Sequence, residues 1–200
     1  ISYFAAGRLA YVDQVAIGGE DVTADLAYDL CTNHHHAERL KSVHGSVQFR
    51  SGDDNTRIEV PLIGDLADMP TGEVAQGWIT HVARERVRQI FEAVQERMRE
   101  SRPIFALRPP RTLVLTGGGS QLEGIDELAE EMFELPVRRA RPDVVFGREG
   151  VEDLPCCAAA SGGLVLVSGR EVDLRWSDSV EAGGLSRGVV RLSRWLRENF

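Results

Sequence analysis

Hydrophobic and polar residues alternate through the opening segment, ISYFAAGRLAYVDQVAIGG, and this alternation predicts extended chain. Ala6, Gly7 and Arg8 interrupt the alternation, and glycine readily adopts the positive φ that tight hairpin turns require. The pattern therefore predicts a β-hairpin at the start of the chain, with its turn at these three residues.

Two helices are predicted after the glycine pair Gly18-Gly19. In the first helix, Glu20 or Asp21 is placed to cap the N-terminus, and apolar residues recur at helical spacing. These apolar residues are Val22, Leu26 and Leu30. The second helix spans HAERLKSVHG and is expected to end at Gly45, because glycine is favoured just past a helix C-terminus.

Strand patterns return between residues 47 and 66, in VQFRS and in TRIEVPLIG, which are separated by the turn-forming residues 52 to 55. The longest helix is predicted next, at about residues 73 to 100, and we expect Arg102-Pro103 to end it. One stripe of this helix is apolar and its other positions carry charge. The stripe consists of Ile79, Val82, Ala83, Ile90, Phe91, Val94 and Met98.

An α/β unit is predicted in RTLVLTGGGSQLEGIDELAEEMF. It contains a buried strand at residues 113 to 115, a turn of three glycines and a helix that carries an apolar face. LPVRRARPD predicts a further strand, and the small-residue segment CCAAASGG is expected to lead into a short strand, LVLVS. The polar, glycine-containing residues 176 to 185 are interpreted as a linker.

Composition narrows the class of protein. The chain has 200 residues, 42% of them hydrophobic, which suits a soluble globular protein with one sizeable core or two small ones. Its formal net charge of -8 argues against a general nucleic-acid binder. Three cysteines, two of them adjacent, indicate a reducing cytoplasm, and we expect neither a membrane span nor a secretion signal.

Two glycine-rich junctions are candidate ligand sites. Gly117 to Ser120 lie between a predicted strand and helix, and Gly18-Gly19 precede a helix; such turns let a backbone approach a phosphate. Each alone is also compatible with mere tight packing. Glu38 and Lys41 share one helical face, either as a solvated ion pair or as hydrogen-bonding groups for a ribose and its base.

The other reactive side chains give weaker signals. His34, His35 and His36 are expected in the loop between two helices, and neighbouring side chains about 100° apart cannot converge on one metal ion. Cys156 and Cys157 are expected to be buried in helix packing. No serine lies in a nucleophile-elbow pattern, so covalent catalysis is unsupported. We predict no catalytic residue, and the histidine geometry leads us to predict no metal site.

Three arginines, Arg84, Arg86 and Arg88, lie beside the apolar stripe of the long helix, with Arg86 at its edge near Ile90. Such arginines are usually solvated. An arginine at the edge of an apolar surface also suits a carboxylate ligand, so both interpretations remain open from the residues alone.

On a helical wheel, residues 185 to 200 place an apolar face opposite a group of arginines, which predicts an amphipathic helix. Residues 186 to 200 carry four arginines and one glutamate, a local charge of +3. This segregation favours binding to anionic lipid over docking on the protein's own core, on a partner's groove or on nucleic acid. The residues expected at the membrane are Leu185, Val189, Arg191, Leu192, Arg194, Trp195, Leu196 and Phe200.

Four segments in this order resemble the second half of actin-like ATPases, the superfamily of actin, Hsp70 chaperones and sugar kinases, and more narrowly the FtsA family of bacterial cell-division actin homologues. The segments are VAIGGEDVTADLA, AERLKSVHGSV, VLTGGGSQLEGIDELAEEMFELPVRRARP and the C-terminal tail. The resemblance implies an α/β, RNase H-like nucleotide-binding subdomain from residues 1–45 and 105–175, with a smaller α+β subdomain, 46–104, inserted into it. A linker, 176–185, and an amphipathic membrane-targeting helix, 186–200, would follow.

The resemblance also implies a ligand, ATP with Mg²⁺. Gly18 and Gly19 would approach the phosphates, and Glu38 and Lys41 would hold the ribose and adenine. The residues that would close over the adenosine are Gly118, Gly119 and Ser120. The two Asp-Gly-Thr loops that grip the triphosphate in this superfamily do not occur in this chain.

FtsA-like proteins receive the C-terminal tail of FtsZ on the inserted subdomain, which implies Arg84, Arg86 and Arg88 as FtsZ-binding residues. The implied protein lies on the cytoplasmic face of the bacterial cell membrane at the division site, self-assembles into filaments and has at most weak ATPase activity. The alternatives are an actin-superfamily kinase, in which an amphipathic C-terminal helix is not expected, and a chaperone-like ATPase, which would need a peptide-binding domain after residue 175.

Overall fold

The structure is a computed structural model that describes residues 1–63, 71–142 and 155–167. Its helices are α1 (Gly19–Asp29), α2 (His34–His44), α3 (Gln76–Glu100), α4 (Arg102–Leu107), α5 (Ile125–Phe133) and α6 (Ala158–Val167). Its strands are β1 (Ser2–Ala5), β2 (Arg8–Val12), β3 (Arg57–Pro61), β4 (Thr71–Ala75), β5 (Leu113–Leu115) and β6 (Val137–Arg139). Two 3₁₀ turns, Gly118–Gln121 and Pro155–Cys157, lie before α5 and α6.

The strands of the described residues pair two by two. β1 and β2 form the predicted antiparallel hairpin, and Ala6 and Gly7 have φ values of 52° and 75°, as a type I′ turn requires. β3 and β4 are antiparallel, whereas β5 and β6 are parallel, as expected for the two strands that flank a helix in an α/β unit. Among the described residues, these pairs form three separate two-stranded sheets.

One hydrophobic core lies beneath α1, α2, α3 and α5. Its centre contains Leu26 and Val22 of α1, Ile79 of α3 and Val47, all with no solvent-exposed surface. Residues from within and from outside the predicted inserted subdomain contribute to this same core. The predicted division of the chain into subdomains remains a prediction.

Two strand predictions are wrong. Residues 47 to 51, VQFRS, form no strand, because the hydroxyl of Ser46 bonds to the backbone of Gln48 and tightens the chain there. The segment LVLVS was expected to be extended, but Leu164 to Val167 belong to α6. A short apolar run is compatible with strand or helix, and here the alanines before it favour a helix.

The predicted start of the long helix is also wrong. Thr71–Ala75 form β4, and α3 starts at Gln76, after Ala75, whose side chain offers no hydrogen bond to the helix N-terminus. The sequence therefore carries no capping signal at this boundary. The predicted end is confirmed, since α3 ends at Glu100 and α4 begins at Arg102 with a proline in its first turn.

Two smaller expectations also fail. His34, His35 and His36 form the first turn of α2 instead of a loop, because Oδ1 of Asn33 accepts a hydrogen bond from the His36 backbone N–H at 2.9 Å. An asparagine at this position is a standard N-cap. Cys156 is exposed on a 3₁₀ turn, where burial was expected.

The predicted linker and C-terminal amphipathic helix, with all eight residues expected at the membrane, lie outside the described residues. Among the helices that the structure does describe, none is long and apolar enough to cross a membrane.

Candidate functional site

The two glycine-rich junctions face each other. Gly18 caps α1, and the Asp21 carboxylate accepts a hydrogen bond from the Gly18 N–H at 2.7 Å, as predicted for this helix start. A Cβ atom placed on Gly19 would lie 3.9 Å from the Cα of Gly119. The turn before α1 and the turn after β5 therefore lie at one place, although 100 residues separate Gly19 from Gly119 in the sequence.

Open space adjoins both turns. A Cβ on Gly18 or on Gly119 would meet no atom of the described residues within 4 Å, and neither glycine has a positive φ. A Cβ on Gly118 would make an ordinary contact of 3.7 Å with Cys156. Packing within the described chain therefore does not require glycine at these positions. Because glycine has no side chain, it leaves room here for a ligand near the backbone.

A polar cluster lies beside the Gly19 turn, and its centre is the ammonium group of Lys41. This group contacts the carboxylate of Glu38 at 2.5 Å, the hydroxyl of Thr23 at 2.6 Å and the backbone carbonyl of Gly19 at 3.1 Å. The Thr23 hydroxyl donates to the same Glu38 oxygen, Oε2, at 2.5 Å. Helices α1 and α2 are thereby joined at the end of α1 that faces Gly119.

Burial and charge differ across this cluster. The Lys41 side chain is 15% exposed and that of Glu38 is 45% exposed. Partial burial raises the pKa of Glu38, but hydrogen bonds from Lys41 and Thr23 and the charge of Lys41 outweigh it, so the pKa lies below its usual range. Glu38 is therefore an ionised acceptor, and the contacts above use only its Oε2.

Ser120 shapes the second turn. Its side chain is buried, and its hydroxyl donates to the Gly117 carbonyl at 2.8 Å. Gly117 has a φ of 87°, which favours glycine, and its N–H donates to the Pro155 carbonyl at 3.0 Å. The hydroxyl of Ser120 thus supports the backbone of Gly118 and Gly119, and a direct contact with a ligand remains a prediction.

Sequence reasoning missed Thr23. It has no exposed surface, although it is polar, and it lies next to Val22 on the buried side of α1. A threonine among core residues of an amphipathic helix is the signal that could have identified it, because buried hydroxyl groups need hydrogen-bond partners.

The arginines of α3 have partners within the chain. Arg86 makes two hydrogen bonds to the Asp25 carboxylate of α1, at 2.5 and 2.8 Å, and the bonds to Asp25 raise the pKa of Arg86. Arg84 donates to the Val47 carbonyl at 2.8 Å and contacts Glu131 at 3.3 Å. These two side chains hold α3 to its neighbours.

Arg88 differs from the other two arginines. Its side chain is 50% exposed, and its ion-pair distances to Glu85 and Glu92, both on the same helix, are 3.7 Å. Of the three predicted arginines, Arg88 is the one that a partner could reach at little cost to the fold.

A separate cavity of about 290 Å³ opens on another face of α2. It is lined by His36, Arg39, Leu40, Val43, His44, Glu59 and Pro61, which are different residues from those of the predicted site. Within the described residues, no group of three or more histidine, cysteine, aspartate or glutamate side chains is placed to hold a metal ion. The candidate site consists of the facing glycine turns and the Lys41 cluster, which the fold brings together.

Comparison with solved structures shows the fold. The crystal structure of MreB5 of Spiroplasma citri bound to ADP is similar over 82% of this chain and 48% of that chain, with a TM-score of 0.56 and 15% sequence identity. The structure of the same protein bound to AMPPNP is similar over 82% of this chain and 47% of that chain, with a TM-score of 0.56 and 14% sequence identity. The chain therefore has an actin-like fold.

Comparison with known sequences shows the family. Residues 1–162 match the family model described as Cell division protein FtsA. The FtsA proteins of Rhizobium meliloti (strain 1021) and Agrobacterium fabrum (strain C58) are 37% and 34% identical over the whole chain, which covers 45% of each. That of Escherichia coli (strain K12) is 27% identical, with 48% of its length covered. The chain thus spans about half the length of these relatives, and it belongs to the FtsA family of cell division proteins.

Proposed function

We propose that this chain supplies half of the ATP site of a bacterial division protein that self-assembles and tethers FtsZ polymers to the cytoplasmic membrane at the division site. The observation that carries the ATP site is the approach of Gly19 to Gly119 beside the Lys41 cluster. The similar MreB5 structures contain ADP and AMPPNP, which supports a nucleotide as the ligand of this fold. ATP with Mg²⁺ acts here mainly as a ligand that stabilises one conformation for assembly, with at most weak hydrolysis.

The site has a phosphate end and a nucleoside end. At the phosphate end, Gly18 and Gly19 leave room beside the N-terminus of α1, whose N–H groups attract anions. The Asp21 carboxylate already accepts the Gly18 N–H, so a phosphate competes with Asp21 for that group. At the nucleoside end, Glu38 and Lys41 offer an acceptor and a donor to the ribose and adenine, and Gly118 and Gly119 lie over the adenosine, supported by Ser120.

The ATP site can be tested without disturbing the fold. Gly119→Val places a side chain where the described protein has open space, so we expect normal folding and loss of ADP binding. Gly163→Val is the matched control, because a Cβ there also meets open space but lies on α6. Calorimetric titration of both variants and of the wild type with ADP makes the measurement. If Gly119→Val folds and binds ADP as the wild type does, the ligand lies elsewhere.

The membrane role rests on the amphipathic pattern of residues 185 to 200. Co-flotation with anionic and with neutral liposomes compares the full chain with a version that ends at Asp178. We expect only the full chain to float, only with anionic lipid, and less at high salt. Equal flotation of both versions, or of neither, contradicts a lipid anchor.

The FtsZ contact is proposed on α3, with Arg88 as the arginine that a partner reaches most easily. Arg88→Glu should weaken binding of a synthetic FtsZ C-terminal tail peptide to the chain. The melting temperature should fall only slightly, because the new carboxylate lies near Glu85 and Glu92 on an exposed face of α3. Arg39→Glu, which reverses an exposed charge on α2, is the control. Equal binding by Arg88→Glu and the wild type contradicts this assignment.

A further inference from the structure

Lys41 is the one lysine among the 23 basic residues of the chain; the rest are arginines. Three acceptors surround its Nζ atom: Oε2 of Glu38, Oγ1 of Thr23 and the carbonyl oxygen of Gly19. An ammonium group has three N–H donors, so each of them has a partner within the chain. The planar fork of an arginine cannot direct its donors to three acceptors around one point, which explains why a lysine suits this position.

Thr23 fixes the direction of the hydrogen bonds between Lys41, Thr23 and Glu38. A hydroxyl carries one hydrogen, and an ammonium group can only donate, so Thr23 accepts from Lys41 and donates to Glu38. Because Thr23 is fully buried on α1, it also fixes where the side chains of Glu38 and Lys41 on α2 lie. The hydroxyl of Thr23 therefore positions Lys41 and Glu38 together.

The bond to Gly19 is the one that a ligand can replace most easily. It is the longest of the three, at 3.1 Å, and its acceptor is neutral, whereas the bond to Glu38 joins opposite charges. As the first residue of α1, Gly19 also directs its carbonyl towards the N–H of Thr23, four residues along the helix. Loss of Lys41 therefore leaves no unpaired carbonyl at this position.

We propose that Thr23 is a positioning residue for Lys41, and that the hydrogen bond from the Lys41 ammonium to the Gly19 carbonyl acts as a latch that holds the Gly18-Gly19 turn. The latch is released when a ribose hydroxyl replaces the Gly19 carbonyl as the acceptor of this hydrogen bond. The inference rests on the proposed nucleotide site and adds a link between its two ends. When a sugar binds at Glu38 and Lys41, Lys41 no longer holds the Gly18-Gly19 turn, which faces the phosphates. The latch responds to the ribose diol, so it distinguishes a ribonucleoside from an analogue that lacks both hydroxyls.

Nuclear magnetic resonance on the 200-residue chain tests the release directly, since one lysine gives one side-chain ¹⁵Nζ signal. Adenosine, which has no phosphate, should shift the Lys41 Nζ signal and the Gly19 carbonyl ¹³C signal. The 2′,3′-dideoxyadenosine control should leave the Gly19 carbonyl signal unchanged. If ADP binds but adenosine leaves that signal unchanged, or if both nucleosides shift it equally, the latch is wrong although the proposed nucleotide site stands.

Variants without ligand test the positioning role independently. Thr23→Val keeps the shape of the side chain but removes its hydrogen bonds to Glu38 and Lys41. The Lys41 ammonium signal should then be lost through fast proton exchange. The Gly19 carbonyl signal should move to the position that it has in the Lys41→Met variant. Thr23→Ser keeps the hydroxyl and should retain both wild-type signals. If Thr23→Val folds with both signals unchanged, Thr23 does not position Lys41. If neither adenosine nor ADP shifts any signal at millimolar concentration, the release and the proposed nucleotide site are both wrong.

Discussion

Helices α2 and α3 both carry the charged residues that the sequence pattern singles out, yet they use them differently. On α2, Glu38 and Lys41 meet Thr23 and the Gly19 carbonyl next to open space, and the Glu38 side chain remains 45% exposed. On α3, Arg86, which lies at the edge of the apolar stripe, makes two hydrogen bonds to the Asp25 carboxylate, and its side chain is 26% exposed. One set of charges borders open space beside the glycine turns, and the other joins two helices.

What decides the difference is the part of α1 that each helix meets. α2 contacts the N-terminal turn of α1, where glycines leave space and the backbone offers polar groups. α3 contacts the middle of α1, where Asp25 supplies a carboxylate that matches the arginine fork. The same helical spacing of charges thus leads to a proposed binding site on α2 and to a structural contact on α3, depending on the residues across from each helix.

The largest effect is expected from the core beneath both helices. Ile79→Ala removes a fully buried side chain, which should lower the free energy of unfolding by about 2–5 kcal/mol. Ile63→Ala is the matched control, because Ile63 is 70% exposed, and a change below about 0.5 kcal/mol is expected. Urea denaturation followed by circular dichroism measures both. Equal losses in the two variants would mean that the core is not where the structure has it.

The next effect separates the arginines of α3. Arg86→Met should cost about 1–2 kcal/mol of unfolding free energy, because Asp25 loses two charge-assisted bonds in a partly buried place. Arg88→Met, the control on the same helix, should cost less than about 0.5 kcal/mol because its ion pairs are exposed and long. The same denaturation experiment compares them. A larger loss for Arg88 would reverse the roles assigned to these two residues.

The smallest effect is the pH dependence of the α2 cluster. The pKa of Glu38 in the folded protein is lowered, because its hydrogen bonds to Lys41 and Thr23 outweigh partial burial. The ionised Glu38 therefore stabilises the fold fully above the unfolded pKa of about 4.3, and this contribution is lost as the pH falls through the folded pKa. Wild type should therefore exceed Glu38→Gln in stability at pH 7, and the difference should shrink below about pH 4.3. Denaturation curves of both proteins between these conditions provide the measurement. A difference that grows on acidification would mean that the folded pKa is raised instead.

Much of the secondary structure was predictable because its signals are local. Four features each depend on residues within a few positions of one another. They are the hairpin turn at Ala6 and Gly7, the Asp21 cap of α1, the end of α2 at Gly45 and the strand at residues 113 to 115. β4 escaped prediction because its pairing with β3 is what makes it a strand. The strand prediction for residues 47 to 51 is wrong for the opposite reason. Their local pattern suits a strand, but hydrogen bonds between the Ser46 hydroxyl and the Gln48 backbone hold the chain in a turn.

The candidate site was predictable only in part. The glycines and the Glu38-Lys41 pair have recognisable spacing, whereas the approach of Gly19 to Gly119 depends on the packing of distant segments. The role of Thr23 arises from a bond between two helices, and the ion pair of Arg86 depends on where Asp25 lies after folding. Such contacts are set by tertiary structure, which helical spacing alone does not define.

The central claim is that the two glycine turns and the α2 cluster bind one nucleotide while the α3 arginines do not. Titration of the ¹⁵N-labelled chain with ADP, followed by its amide signals, tests this most directly. We predict shifts at Gly18, Gly19, Gly118 and Gly119 and from Glu38 to Lys41, with the amides of Arg86 and Arg88 unchanged. Shifts confined to α3, or none at millimolar ADP, would contradict the account.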